Sequence, residues 1–193
     1  MKNYFKGEMD IMIYVTRHGQ TDLNLKKKIQ GRVDSPLNES GKKQASETRE
    51  KLLNVNIDLI ICSPLLRTKE TANIINKDRN IPIIYDERII ERSFGKLEGC
   101  EIEKIDFNSY WDYYKNLQDN DIESMHQLFD RVYLFLVDIK NKYKNKNKNI
   151  LIVSHGGVGM PIDCFFSHNI PKGSLMEAGL QLKNCEVKKY DFE

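Results

Sequence analysis

Asp10–Thr21 reads DIMIYVTRHGQT. An unbroken apolar run, Ile11–Val15, ends abruptly on Arg17 and His18. A run apolar on both faces suits a parallel strand buried between two helix layers. Asp58–Cys62 (DLIIC), Ile81–Tyr85 (IPIIY) and Asn149–Val153 (NILIV) have the same character. Gly41–Leu53, Pro64–Asn76 and Ile122–Tyr143 read as the helices between them. In the last, Ile122, Met125, Leu128, Phe129, Val132, Phe135, Leu136 and Ile139 recur at three- and four-residue steps, giving one apolar face. Pro64 falls where a helix tolerates proline, in its first turn. The alternation predicts an α/β fold, a doubly wound and largely parallel sheet between helix layers.

The remaining stretches are less regular. Leu175–Phe192 alternates loosely and turns at Lys183-Asn184, which predicts a late strand pair. Asp106–Gln118 carries Phe107, Tyr110, Trp111, Tyr113 and Tyr114, and is expected as part of a small insertion near 100–121 over the site. Its aromatics are expected in the core more than against a substrate. Met1–Glu8 reads as a loose leader. A single domain over 1–193 fits the length, because domains run to about 100–200 residues.

Composition closes several doors. Thirty Lys and Arg against twenty-eight Asp and Glu leave a net charge of +2, too small for a broad grip on nucleic acid. Lys140–Asn149 (KNKYKNKNKN) reads as a solvated helix end, since no basic stripe continues from it. No apolar run approaches the ~18 residues of a membrane span. Cys62, Cys100, Cys164 and Cys185 are scattered with no CxxC pair, as expected of thiols in a reducing cytoplasm. The N-terminus has no signal-peptide pattern. Monomer and homodimer both stay open.

Three predicted strands end in related polar sets: Arg17-His18-Gly19-Gln20-Thr21, Ser63-Pro64-Leu65-Leu66-Arg67 and Ser154-His155-Gly156-Gly157. Open α/β sheets bind ligands outside the carboxyl ends of their strands. Two arginines and two histidines are thus expected at one edge. Guanidiniums are planar, multidentate donors for phosphate or carboxylate. Gly19 is expected to let backbone approach an anion. An imidazole among such donors can act as a nucleophile, and neighbouring arginines favour its neutral form.

Arg17-His18-Gly19-Gln20-Thr21 resembles the RHG(E/Q)(S/T) motif of the histidine phosphatase superfamily, the phosphoglycerate mutase-like branch. The resemblance continues in order through Asn24, Gln30-Gly31-Arg32, Asp34-Ser35-Pro36-Leu37, Gly41, Ser63–Thr68, Glu91–Gly95 with Glu98-Gly99, Glu123-Ser124 and Ser154–Gly157. It implies that His18 is the nucleophile and becomes phosphohistidine. It implies that Arg17, Arg67 and His155 complete the phosphate pocket and that Glu91 donates a proton to the leaving oxygen. Thr21, Asn24 and Gln30 match positions that line the phosphate or the rest of the substrate, and Gly19 and Gly156 are expected to bind substrate beside them. No metal and no organic cofactor is implied. The expected partner is a small phosphorylated substrate, with neither nucleic acid nor membrane.

Rival readings exist. A zinc site on His18 and His155 lacks a carboxylate within the two motifs, and flanking arginines repel a cation. His126 and His168 follow no strand end and read as packing or surface residues. Arg32 and Glu123 read as structural ion pairs. The short subgroup resembled here includes α-ribazole phosphate phosphatases and broad-specificity members. A phosphoglycerate mutase is the alternative, and an inactive phosphate-binding module a third reading. Mutases of the family carry a longer segment after the Glu motif, and Cys100–Asp121 is short. One departure from the pattern is Val158-Gly159-Met160-Pro161-Ile162, where many relatives carry a longer side chain near Met160. Pro161 is expected to be tolerated only in a first helical turn.

Overall fold

The computed structural model describes residues 11–117 and 121–192. The expected leader at Met1–Glu8, Asp10 at the start of the first strand, and Gln118 to Asn120 in the insertion lie outside the described residues. The chain order is β1 (Ile11–Arg17), α1 (Asp22–Leu25), α2 (Glu39–Lys51), β2 (Leu59–Cys62), α3 (Leu66–Ile75), β3 (Ile83–Tyr85), α4 (Met125–Tyr143), β4 (Lys148–Ser154), α5 (Gly156–Ser167) and β5 (Val187–Asp191). Short 3-10 turns occupy Glu87–Ile89, Gly95–Leu97, Ile102–Lys104 and Phe107–Trp111.

One five-stranded sheet carries all of these strands in the order β3-β2-β4-β1-β5. β1 to β4 run parallel, and β5 pairs antiparallel to β1, with Thr16 opposite Val187. The period of two along each strand splits the core into two. Ile13, Val15, Leu59, Ile61, Ile150 and Ile152 face one layer, packed with Leu128, Val132, Phe135 and Leu136 of α4 and Val158 and Ile162 of α5. Ile60, Cys62, Leu151 and Val153 face the other, packed with Leu52, Ala72 and Ile75. Both faces are apolar because both are covered, as the unbroken runs predict.

Several expectations are corrected. The tail forms one strand rather than a pair. Residues 175–186 turn instead of pairing with each other, and Cys185 takes the left-handed region at φ 56. Asn184 meets Arg17 in an isolated bridge, so this stretch pairs with β1's end. α4 begins at Met125, capped by Ser124, whose hydroxyl accepts from Gln127 N while the Gln127 side chain answers to Ser124 N. α5 runs through Pro161, beyond its first turn. The ring removes one helical donor, and buried Val158, Met160 and Ile162 on either side hold the helix together regardless. The four-residue α1, capped by Thr21, has no counterpart in the sequence reading.

The ends of β1, β2 and β4 lie side by side. Arg17 is opposite Ser154, and Cys62 is opposite Val153. The residues that follow each strand are therefore delivered to one edge, as predicted.

Candidate active site

His18 follows β1 and is 2% exposed. Its backbone N–H donates to Ser154 O (3.0 Å), tying β1's end to β4's. Its Nδ1 lies 2.7 Å from Gly19 O. A carbonyl only accepts, so Nδ1 carries the proton in the neutral ring and Nε2 keeps its lone pair. Burial drives His18 well below the usual imidazole range, and the Arg67 and Arg17 guanidiniums add to this. Both effects hold the ring neutral, with the lone pair on Nε2.

His155 is fully buried at the N-cap of α5, with its ring centroid 5.3 Å from that of His18. Burial, followed by Arg67, His18 and Arg17, holds it neutral as well. Ser63 Oγ lies 2.7 Å from its Nε2, while its Nδ1 has no partner among the described residues. Ser63 Oγ has no other hydrogen-bond partner among the described residues. With Ser63 donating to Nε2, both the hydroxyl proton and the ring lone pair are used, and Nδ1–H is left as a free donor.

Arg67, in the first turn of α3, is fully buried. Its Nη1 donates to Val33 O (2.9 Å) and its Nη2 to Gly31 O (2.7 Å). With its amide oxygen turned toward the guanidinium, Gln30 accepts from Arg67 Nε (3.2 Å) and Nη1 (3.0 Å). Burial pulls Arg67 down to about 10, which still leaves it charged near neutral pH. α3 has no side-chain cap of its own, and Asp34 Oδ1 accepts from Leu66 N (2.6 Å) instead. Arg17 donates through Nη1 to Leu182 O (3.0 Å), and its buried Nε has no partner among the described residues.

Glu91 arrives from the loop after β3. Its Oε1 accepts from Arg92 N (2.9 Å) and its Oε2 from Gly157 N (3.3 Å) in α5's first turn. A Cβ on Gly157 would press on both Glu91 and the Trp111 ring, so only glycine lets the acid and the indole share this place. Arg92 is buried between Phe94 and Trp111, 5.1 Å from each ring, and donates through Nε to Glu123 O (2.7 Å) and through Nη1 to Tyr110 O. Glu123 receives Arg131 on both oxygens (2.5 and 2.9 Å) and Arg32 Nη2 (3.2 Å). Arg32 and Glu123 thus form the structural ion pair expected of them, and Arg32 Nε also donates to the Glu91 carbonyl (3.0 Å).

A pocket of about 260 Å³ opens over these groups. Arg17, His18, Asn24, Gln30, Arg67 and Glu91 line it. Thr21, Gly19, Gly156 and His155 lie outside that lining. Thr21 caps α1 and bonds Gln30 (2.8 Å). Gly156 opens α5 beside the Arg17 guanidinium. The expectation for Gly19 is corrected. Its N–H donates to Thr71 Oγ1 (3.0 Å), and its missing Cβ makes room for the Gly41 backbone rather than for an anion. Phe107 and Trp111 belong to the core, as expected, and they also line the pocket. His126 packs on Tyr113 (4.6 Å between centroids), and His168 ends α5 in the left-handed region.

Lys27, Lys28, Ile102, Met176, Gln181 and Asn184 line the pocket without having been singled out in the sequence. Asn184 Nδ2 donates to His18 O (2.8 Å) across the whole chain. Only the position of Lys27 and Lys28 just before Gln30-Gly31 could have flagged any of them. Among the described residues, no group of three or more His, Cys, Asp and Glu gathers at metal-binding spacing, and no helix is long and apolar enough to cross a membrane.

Comparison with known proteins bears on the family of the chain. The chain is 39% identical over 144 residues to a Bacillus subtilis protein named as an uncharacterized phosphatase, PhoE, covering 75% of this chain and 71% of that one. It is 33% identical over 189 residues to a probable phosphoglycerate mutase, GpmB, of Salmonella choleraesuis, covering 95% and 86%. The structure of Bacillus stearothermophilus YhfR superposes with a TM-score of 0.83 at 28% identity, covering 93% and 90%. That of an Entamoeba histolytica phosphoserine phosphatase variant bound to phosphoserine superposes with a TM-score of 0.78 at 26% identity, covering 94% of each chain. Residues 13–193 match the family model described as histidine phosphatase superfamily (branch 1), and the chain belongs to that family of enzymes.

Proposed function

We propose that the protein is a phosphomonoester hydrolase acting on a small phosphorylated metabolite through phosphohistidine at His18. The observation that carries this reading is the His18 Nδ1 to Gly19 O bond, which leaves Nε2 unprotonated in a pocket lined by two guanidiniums. Nε2 attacks phosphorus, and the P–O bond to the alcohol breaks as the P–N bond forms. Arg17, Arg67 and the Nδ1–H of His155 stabilise charge on the phosphoryl oxygens. Glu91 gives its proton to the leaving oxygen. A phosphate dianion beside a carboxyl favours the protonated acid. Water then attacks phosphorus, Glu91 takes its proton, and phosphate leaves with His18 restored.

Hydrolysis rather than mutase transfer is supported by the short segment after Glu91, which folds as compact 3-10 turns at Ile102–Lys104 and Phe107–Trp111. The four cysteines are free thiols, which supports the expected cytoplasmic setting.

The test is rapid mixing with a radiolabelled phosphomonoester, followed by alkaline and acid quench. An acid-labile, base-stable label on the parent, absent from His18→Ala together with turnover, is expected. Turnover retained by a clean His18→Ala preparation would end the covalent reading. Supplying 3-phosphoglycerate with a bisphosphoglycerate primer separates the alternative: free phosphate is expected, and rapid isomer interconversion would mark a mutase.

A further inference from the structure

Four cationic side chains, Arg17, Lys27, Lys28 and Arg67, line the pocket against one carboxylate, Glu91. That excess is more than one phosphate dianion requires. The cations are also held differently. Arg17 and Arg67 are tied to backbone carbonyls beside His18. Lys27 reaches outward to Glu103 (2.9 Å), with both side chains well exposed. Lys28 is half-buried, and among the described residues its ammonium has no carboxylate, carbonyl or ring partner.

The backbone under Lys28 is firmly placed. α1 ends with Lys27 in the left-handed region at φ 49. Lys27 N donates to Asn24 O (3.1 Å) and Lys28 N to Leu23 O (2.9 Å), the paired bonds of a Schellman ending. Lys28 then bridges Glu101, and Ile29 exchanges backbone bonds with Cys100 O (2.9 Å) and Gly99 N (2.7 Å). A half-buried cation held over a pocket without a counter-ion is placed for one that the protein does not supply. Next to it, Ile29, Ile102, Phe107 and Met176 form an apolar wall.

We infer that Lys28 is a specificity-determining residue that binds a second anionic group, a carboxylate, on the phosphomonoester. The substrate class is then a small phosphorylated acid. Its phosphate lies at His18, its carbon body lies along the apolar wall, and its carboxylate meets the Lys28 ammonium. This rests on the phosphomonoesterase reading of the same pocket. The pocket volume of about 260 Å³, a little below the usual range for drug-sized ligands, suits such a small molecule.

Binding of two non-hydrolysable phosphonates, measured by calorimetry, tests the assignment without turnover. 3-Phosphonopropionate and propylphosphonate have the same chain length and differ in carboxylate against methyl. The parent is expected to bind the acid about tenfold more tightly, as one charge-assisted contact supplies. Lys28→Gln is expected to erase the difference, and Lys28→Arg to keep it. Added salt should shrink the parent's preference. Equal binding of both phosphonates by the parent, or a preference that survives Lys28→Gln, would overturn the inference. Hydrolysis of p-nitrophenyl phosphate by the same parent preparation reads the phosphomonoesterase proposal separately, so either can fail alone.

Discussion

At the floor of the pocket His18 and Arg67, with His155 packed behind them, are at most 2% exposed, and His18 and Arg67 are fixed by bonds to backbone carbonyls. At its roof, Lys27 and Glu103 face each other with about three-quarters of each side chain in water. An exposed pair of that kind contributes little to stability, whereas a buried guanidinium deprived of its partners costs several times more. The floor therefore tolerates one arrangement, suited to a reaction whose charge develops in the same place for every substrate. The roof can be rebuilt at small cost, which suits the choice of substrate. Chemistry and specificity are separated along the depth of one small pocket.

Glu91 is where the two halves meet, held by the N–H groups of Gly157 and Arg92 and close to the Trp111 ring at Gly157. If Glu91 belongs functionally to the floor, Glu91→Gln should lose ~10²–10⁴-fold on an alkyl phosphate, the usual worth of a general acid. It should lose much less on p-nitrophenyl phosphate, whose leaving group needs little protonation. Single-turnover phosphorylation rates for the two esters decide this. Equal slowing of both would move Glu91 out of the acid role and direct the same comparison to Glu98 and Glu101.

The floor should also dominate the acid side of the stability profile. His18 and His155 are held neutral in the fold, with affinities for protons pushed down by burial and then by Arg67. The unfolded chain takes up these protons near pH 6.5, and the fold resists them. Stability is therefore full above about pH 6.5 and falls as pH drops toward the depressed folded values. Each histidine contributes about 1.4 kcal/mol per pH unit across that window. Chemical denaturation between pH 7 and pH 5 should show a shallower fall for His155→Asn than for the parent. An unchanged slope would mean that His155 is not held neutral.

A smaller effect isolates how His155 is positioned. Losing one neutral hydrogen bond is worth about 1 kcal/mol, so Ser63→Ala should lower kcat about fivefold to tenfold with KM little changed. Ser63→Thr, which keeps the hydroxyl, should recover most of it. The tautomer itself is readable in the nitrogen-15 shifts of His155: Nδ1–H in the parent, a mixture in Ser63→Ala. A parent already protonated on Nε2 would reverse the assignment.

The floor was largely legible in the sequence, and the roof was not. Arg17, His18, Arg67 and His155 each follow or closely follow an apolar run, so strand-end logic gathers them without knowledge of any contact. Lys28, Ile102, Met176 and Asn184 sit on turns with no periodicity, and their meeting depends on loop conformations. Asn184 reaches His18 only because residues 175–186 turn back along β1's end instead of pairing with each other. Gly19 shows the opposite failure: the residue was singled out, but its physical reason, close approach of Gly41 at the start of α2, lies in packing between distant elements. Pro161 was read by a local rule that the burial of α5 overrides.

The last prediction probes the roof alone and is the smallest. Ile102 is half-buried, lines the pocket, and donates its N–H to Lys27 O (3.0 Å), so its backbone stays placed when the side chain is cut. Ile102→Ala removes apolar surface worth about 0.5–1 kcal/mol when a ligand covers it, because only part of the half-buried side chain is left to cover. If the wall holds only the carbon body of the substrate, that loss is the same in the ground state and the transition state. KM should then rise several-fold while kcat stays near the parent value, the signature of uniform binding. The unfolding midpoint should move little, since the side chain is already partly in water, whereas Leu128→Ala, at a fully buried position in the first turn of α4, should cost about 2–5 kcal/mol. A fall in kcat comparable to that of Ser63→Ala would mean that the roof aligns the reacting phosphoryl group, and the division of labour between the two ends of the pocket would have to be abandoned.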